Sequence, residues 1–279
     1  MLIDGRRIAE KINKITAGKV KKMLKRGCRP TIAVFLVGHR PESEVYVKQK
    51  EKLAKKLGFV FKLKRLPANV RQSALVAAIT RLQNKKTVSG IIVQLPLPKH
   101  VDAYKTLSCL KPETDIDCLS DVSLGRLILA NHIVEPPTAG AALEILKDLR
   151  VDLGGKKIVV IGSGLLVGKP LVILLMNEQA TVIVANKSTK NLSAVCRQAD
   201  IIISGAGQKN LIKPNMVKKN AIVIDAGFSF QKGKASGDAD VAGLDKKGAR
   251  VTPTPGGVGP ITVARLMFNA AVCAEQRSP

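Results

Sequence analysis

A chain of 279 residues, 46% hydrophobic and 24% charged, holds enough apolar material for one large core or two ordinary ones. That balance excludes a disordered chain, and an aromatic content of 3% leaves Val, Ile, Leu and Ala to build the interior. The formal charge of +25, from 46 Lys and Arg against 21 Asp and Glu, favours anionic partners such as nucleotides and polyanionic small molecules.

The basic residues are not gathered in a tail. Residues 46–65 hold eight Lys or Arg and one Glu within a regular apolar pattern, which reads as a basic folded surface rather than a nucleic-acid arm. Neither zinc-finger spacing nor an aromatic-rich strand accompanies them, so nucleic acid is not an expected partner. The five cysteines, Cys28, Cys109, Cys118, Cys196 and Cys273, are odd in number and lack metal-ligand or redox-motif spacing. Reduced thiols in a cytosolic protein are expected, with no metal. "MLIDGRRIAEKI" has no long apolar core or cleavage pattern, and runs such as "KIVVIGSGLLVG" are too short and glycine-broken to span a bilayer.

In chain order, residues 4–26 read as an amphipathic helix with Ile8, Ile12, Ile15 and Val20 on one buried side. "TIAVFLVG" (31–38) is a strand, and a helix patterned on Val45, Lys48, Leu53 and Leu57 runs from Pro41 to Gly58. Strand 59–66, helix 70–85 and, over 88–98, a third strand running into a turn complete an α/β unit with right-handed crossovers. "PETDIDCLSDVSLGRL" (112–127) has no clean period and reads as an active-site loop or interdomain passage. After a turn and linking helix over 134–149, a second α/β run follows. It has strands at 156–162, 180–186, 200–207 and 221–227, and helices at 167–177 and 191–199. A polar hairpin-like stretch comes next, and an apolar helix over 259–276 closes the chain. Two domains are expected, with the boundary near 120–140.

Four polar residues sit where a ligand meets the ends of elements in the first half. Tyr46 and Lys50, four apart, share one face of a helix. Gln94 closes the third strand before "LPLP", and Asp117 lies two residues after Asp115 in the following loop. A lysine that moves protons needs its pKa lowered by burial or a nearby cation, and a neighbouring amide orients it without a neutralising ion pair. Each residue taken alone also has an ordinary reading: Lys50 solvated, Gln94 a strand-end cap, Asp117 a turn former, Tyr46 core packing.

In the second half, "VVIGSGLLVGK" places Gly162, Gly164 and Gly168 between a strand and a helix, one residue longer than G-x-G-x-x-G. Small residues allow a tight turn that aims a helix N-terminus at a pyrophosphate, although a turn of this kind also occurs without a ligand. An NAD site expects an acid near the end of the next strand. "VIVANKSTK" supplies Lys187, Ser188 and Lys190 instead, which suit a ribose phosphate and favour NADP over NAD unless they merely cap the next helix.

"SEVYVKQK", "IIVQLPLPKHVD", "KPETDIDC", "VIGSGLLVGKPL", "ATVIVANKSTKNL", "AIVIDAG" and "VTPTPGGVGPITVARL" occur in the order found in the bifunctional methylenetetrahydrofolate dehydrogenase/cyclohydrolase family, which the chain resembles over nearly its whole length. The resemblance implies two α/β domains, the second a Rossmann-type parallel sheet, with a cleft between them for folate and NADP. The first comprises residues 1–135 plus the terminal helix 259–279, and the second residues 136–258. It implies a cytoplasmic homodimer acting on tetrahydrofolate derivatives, polyglutamylated forms among them, with both activities. A member retaining one activity, or a basic nucleotide- or nucleic-acid-binding module, is the alternative. Lys50 is then the catalytic lysine, Gln94 orients it, Tyr46 lies against the folate rings and Asp117 anchors the pterin. Ser43, Leu95, Gly256, Gly257 and Pro260 join the folate site. Thr138, Gly162, Ser163, Gly164, Val167, Gly168, Lys187, Ser188, Gly205, Gly207 and Thr262 face the cofactor. The chain departs from the family pattern at Cys118 (usually Gly), Ser123 (Asn), Ala139 (Pro), Ser163 (often an Arg that meets the 2′-phosphate) and Lys187 (Arg in some members).

Overall fold

The computed structural model describes residues 1–231 and 234–277. Its contacts divide the chain into two compact units, Lys11–Pro137 with the stretch from Val263 onward, and Met1–Glu10 with Thr138–Thr262. Each is built around its own parallel sheet.

In the first unit, helix α1 (Gly5–Lys25) leads to β1 (Thr31–Val37), α2 (Pro41–Lys56), β2 (Val60–Leu66), α3 (Gln72–Gln83) and β3 (Val88–Val93). The strands pair in the order β2-β1-β3, so β1 is central, and all seven of its residues are buried. Alternation along β1 divides the core in two. Ile32 and Val34 pack with Val47 and Ala54 of α2 and with Leu266 and Met267 of the terminal helix. Ala33, Phe35 and Val37 face the other way, onto Leu75 and Ile79 of α3. Two helical faces differ in part from expectation. Ile15 is 56% exposed, and Thr16 takes the buried place by donating its hydroxyl to the Ile12 carbonyl at 2.9 Å. On α2 the buried residues are Ser43, Val47 and Ala54, while Val45 and Lys48 face solvent.

The strand expected to run into a turn within 88–98 is regular to Val93, and the turn carries Pro96 and Pro98, which have no N–H to give a ladder. Two short helices were not legible: α4 (Ala103–Ser108), capped by Asp102, and α5 (Asp121–Ile128), capped by Ser120, whose hydroxyl accepts from Ser123 N–H at 3.2 Å. The second half of the expected 112–127 loop is thus helical.

The second unit follows α6 (Pro137–Asp148) and contains β4 (Lys157–Ile161), α7 (Gly168–Asn177), β5 (Thr181–Ala185), α8 (Leu192–Arg197), β6 (Ile201–Ser204) and β7 (Ile222–Asp225). An antiparallel pair, β8 (Ser229–Gln231) and β9 (Lys234–Ser236), precedes α9 (Val241–Lys246) and β10 (Arg250–Val251). The five parallel strands run β10-β7-β6-β4-β5. Because the chain leaves β4 to one side for β5 and returns to its other side for β6, strand order reverses between β4 and β6. Residues 1–10, expected with the first domain, belong to this unit. Leu2 bridges Val251 in parallel, Ile3 N–H donates to the Val251 carbonyl at 2.9 Å, and Gly5 N–H donates to that of Gly256 at 3.0 Å. The last helix, α10 (Val258–Arg277), begins directly after the Pro/Gly loop. No helix among the described residues is long and apolar enough to cross a membrane.

Two glycines separate backbone need from chance. A Cβ on Gly168 would lie 1.9 Å from the Gly162 carbonyl oxygen, whereas one on Gly125, inside α5, meets nothing within 4 Å. Gly168→Ala is expected to lower unfolding stability by about 2–4 kcal/mol, and Gly125→Ala to raise it by about 0.5–1 kcal/mol. Thermal melts of both variants check the contrast.

Candidate active site

Helix α2 places Ser43, Tyr46 and Lys50 on successive turns of one side, next to the buried Val47. Its acidic residues are committed elsewhere. Glu44 is held by the Arg65 guanidinium from β2, and Glu51 pairs with Lys55 at 2.6 Å. Lys48, Lys52, Lys55 and Lys56 are exposed, while Lys50 is partly buried.

The atom that Lys50 Nζ meets is Gln94 Oε1, at 3.0 Å. Gln94 stands one residue past β3, and its backbone N–H still donates to the Phe35 carbonyl at 2.9 Å. Its own amide nitrogen donates to the Leu95 carbonyl at 2.9 Å, which turns the oxygen towards the lysine. Burial lowers the Lys50 pKa from its ordinary value, and the Asp117 carboxylate opposes that shift. Burial likewise raises Asp117, to about 6, with Lys50 opposing and Asp115 adding to the rise. Tyr46 is pushed up to about 12 by burial, so its hydroxyl keeps its proton across the physiological range. The result is an ammonium held by a neutral amide, beside a carboxylate that is reluctant to ionise. Such a lysine gives up its proton more readily than a solvated one and can take it back.

Asp117 is presented by a turn that Asp115 organises. Fully buried, Asp115 accepts from Leu119 N–H at 3.0 Å and Ser120 N–H at 2.8 Å. Asn269 of α10 donates to the carbonyls of Ile116, at 2.8 Å, and Glu135, at 2.7 Å. Between these ties Cys118 has φ +55°, in the left-handed region where a glycine is at ease. Cys118 is 1% exposed, and burial, reinforced by Asp115 and Asp117, pushes its thiol pKa far up.

In the five-stranded unit the carboxyl ends of β4 and β6 form the crevice expected of an open parallel sheet. Gly162 has φ +102°, and a Cβ there would fall 2.8 Å from the Gly205 carbonyl oxygen. Gly205 in turn lies against Val167, so the glycine turn and the loop after β6 touch directly. Val167, the residue before α7, makes no side-chain cap; Lys169 N–H donates to the Gly164 carbonyl at 3.1 Å and Pro170 has no N–H, so Gly168 N–H is the first-turn donor that a ligand could use. Gly164 and Ser163 are exposed, and space around the Gly164 Cα is open. At the end of β5, Ser188 N–H donates to Asn186 Oδ1 at 3.0 Å and Asn186 N–H to Thr189 Oγ1 at 2.9 Å. That turn lifts Lys187 and Ser188 into solvent at the rim. The backbone cradle, uncapped helix and cationic rim fit a dinucleotide bearing an extra phosphate.

Thr138 and Ala139 open α6, with Ala139 fully buried. Gly256, at φ +106°, follows a cis Thr254–Pro255 bond, and a Cβ on Gly257 would crowd Pro253 and Thr252. Pro260 and Thr262 lie in the first turns of α10, where Thr262 Oγ1 donates to the Val258 carbonyl at 3.2 Å. The expected folate residues therefore divide: Ser43, Tyr46, Lys50, Gln94, Leu95 and Asp117 share the three-stranded unit, and Gly256, Gly257 and Pro260 belong to the other. Sequence reasoning passed over a buried pair, Asp225 and Asp238, beside the β6 loop. A glycine on either side of the pair, in "DAG" and "SGDAD", was the available signal.

The catalytic-domain profile of tetrahydrofolate dehydrogenase/cyclohydrolase matches residues 3–117, and its NAD(P)-binding-domain profile matches residues 136–278. The bifunctional protein FolD of Cupriavidus pinatubonensis is 39% identical over 276 residues, covering 99% of this chain and 98% of its own. The crystal structure of bifunctional FolD from Campylobacter jejuni superposes with a TM-score of 0.96 at 37% identity, covering 100% of this chain and 99% of that one. The Trypanosoma brucei enzyme, solved with NADP cofactor and an inhibitor, gives 0.94 at 38% identity, covering 99% and 97%. On these matches, spanning both units, the chain belongs to the tetrahydrofolate dehydrogenase/cyclohydrolase family.

Proposed function

We infer that this chain oxidises 5,10-methylenetetrahydrofolate to the 5,10-methenyl form with NADP and hydrolyses that product to 10-formyltetrahydrofolate. The observation that carries the reading is Lys50, partly buried, joined to the neutral amide of Gln94 and facing the field of Asp117. A binding module has no need of that combination.

NADP supplies the hydride acceptor for the first step, taken by the crevice of Gly162, Gly164 and Gly168 with Lys187 and Ser188 towards the extra phosphate. Tyr46 lies along the folate rings, and Asp117, as carboxylate, accepts hydrogen bonds from the pterin. In the hydrolysis, the oxygen of water bonds to the methenyl carbon and loses a proton. As the bond from that carbon to N5 breaks, N5 takes up a proton and the hydroxyl loses its second one to become the formyl carbonyl, so one proton is released overall. Lys50, with its lowered pKa, is the group that shuttles these protons, and Gln94 fixes its direction without neutralising it. The same reading takes polyglutamylated folates, whose acidic tails complement the charge of +25. It also takes a homodimer working in the cytoplasm, where the one-carbon products serve purine, methionine and histidine synthesis.

The deciding assay follows methenyl absorbance with methylenetetrahydrofolate and NADP or NAD. Build-up and decay with NADP support the reading, and no build-up with either cofactor refutes it. Lys50→Met should lower cyclohydrolase turnover by about 10²–10⁴-fold while the Kd for NADP stays within about twofold. Unchanged methenyl hydrolysis by this variant removes the role given to Lys50.

Asp117 carries a pH signature. Its folded pKa of about 6 lies above the ordinary 3.8, so its protonated form favours folding. That contribution is complete below the ordinary value and is lost as pH rises through the folded one. Folate binding, which uses the carboxylate, runs the other way and weakens as pH falls through the same range. Asp117→Asn should therefore raise the folate KM at least about tenfold. It should also abolish the acid limb of the KM profile and melt no lower than the parent at pH 7.5. At the rim, Lys187→Ala should raise the KM for NADP about three- to tenfold and leave that for NAD unchanged, as steady-state kinetics will show.

A further inference from the structure

Beyond the residues that touch substrate or cofactor, the five-stranded unit contains two buried carboxylates. Asp225 ends β7 and is 2% exposed, and Asp238 is fully buried. The backbone is shaped around them. A Cβ on Gly227 would fall 2.1 Å from the Asp238 carboxyl carbon, and one on Gly237 would fall 2.0 Å from an Asp225 oxygen. Placing two acids here is costly, and burial, with Asp238 contributing, raises Asp225 to about 6.

What the arrangement supplies is a grip on one loop. Asp238 Oδ2 accepts three hydrogen bonds, from Ser204 Oγ at 2.6 Å, Ala206 N–H at 2.8 Å and Gly207 N–H at 3.2 Å. Its other oxygen is buried without a hydrogen-bond partner, so all the organising capacity goes to residues 204–207. Asp225 supports this anchor by accepting from Ala239 N–H at 2.9 Å and Gly227 N–H at 3.0 Å, one on each side of the excursion that returns as Asp238. Residues 204–207 leave the carboxyl end of β6 and touch the glycine turn after β4 through Gly205 and Gly162. They are therefore the wall opposite the phosphate turn at the point where strand order reverses.

We propose that Asp238 is a positioning residue for the dehydrogenase step: by gathering Ser204, Ala206 and Gly207 onto one carboxylate oxygen, it sets the wall of the dinucleotide crevice formed by the β6 loop. Asp238 touches neither cofactor nor substrate and acts through that loop. The proposal rests on reading the crevice as the NADP site, and it makes the two activities separable, because methenyl hydrolysis requires no redox cofactor.

The test uses the full-length enzyme, assaying NADP-dependent oxidation and, separately, hydrolysis of methenyltetrahydrofolate without NADP. Asp238→Ala should raise the KM for NADP about tenfold or more and leave hydrolysis within about twofold. Asp238→Asn, whose amide oxygen can accept from the same donors, should recover most of the loss. Ser204→Ala, which removes only the hydroxyl bond, should raise the NADP KM about two- to fivefold, and it serves if Asp238→Ala does not fold. An unchanged NADP KM in Asp238→Ala, or in Ser204→Ala where that variant alone is soluble, overturns the proposal. So does a parallel fall of both activities, which would mark a purely structural role. A parent enzyme that hydrolyses methenyltetrahydrofolate but reduces neither NADP nor NAD would instead overturn the reading of the crevice.

Discussion

Lys50 keeps its ammonium 3.0 Å from the amide oxygen of Gln94, and the contact exists because a helix face and a strand end converge on it. Had a carboxylate stood at that place, the pair would have favoured the charged lysine and raised its pKa. The neutral amide leaves burial as the dominant influence. Much of the three-stranded unit can be read as meeting this constraint. Arg65 and Lys55 occupy the nearby glutamates of α2, and β1 is buried on both faces to bring α2 and the end of β3 together.

Both units use the same device to shape a functional loop. A buried aspartate turns one oxygen to a cluster of backbone N–H groups, Leu119 and Ser120 for Asp115, Ala206 and Gly207 for Asp238. In each case the other oxygen is buried without a hydrogen-bond partner. Loops that cannot bond to a sheet or helix must satisfy their amides somehow, and a carboxylate does so for several at once. It also stiffens the loop by joining residues with no regular ladder between them.

The legible parts of the molecule were those whose partners recur at short, regular spacing. Short continuous apolar runs announced the strands, and the glycine turn after β4 announced the crevice. The helical offset of Tyr46 and Lys50 announced a shared face but not a bond to Gln94, which is 44 residues away. Order among the recognisable segments supplied that link. The face of α1 departed from expectation only at Ile15, where Thr16 satisfies its hydroxyl within the helix, and that of α2 because Val47, two residues on from Val45, meets the core. The helices α4, α5 and α9, six to eight residues long, are too brief to show a period and rest on caps from Asp102, Ser120 and Asp240. Asp238 was illegible for another reason: its three partners lie more than thirty residues away, and two of them are backbone groups, which have no signature in sequence.

Cys118 puts a side chain at a backbone position suited to glycine. The left-handed turn is held by Asp115 and Asn269, so the added thiol does not release it, and the sulfur is enclosed at 1% exposure. Thiol chemistry depends on the thiolate and on access. Next to two carboxylates and out of solvent, this sulfur has neither. A cysteine adjoining Asp117 in the candidate site would ordinarily be the weak point towards peroxide or an alkylating agent. Here it is shielded by the same burial that makes Asp117 hard to ionise, so oxidative stress should reach the exposed edges of this protein well before its chemistry.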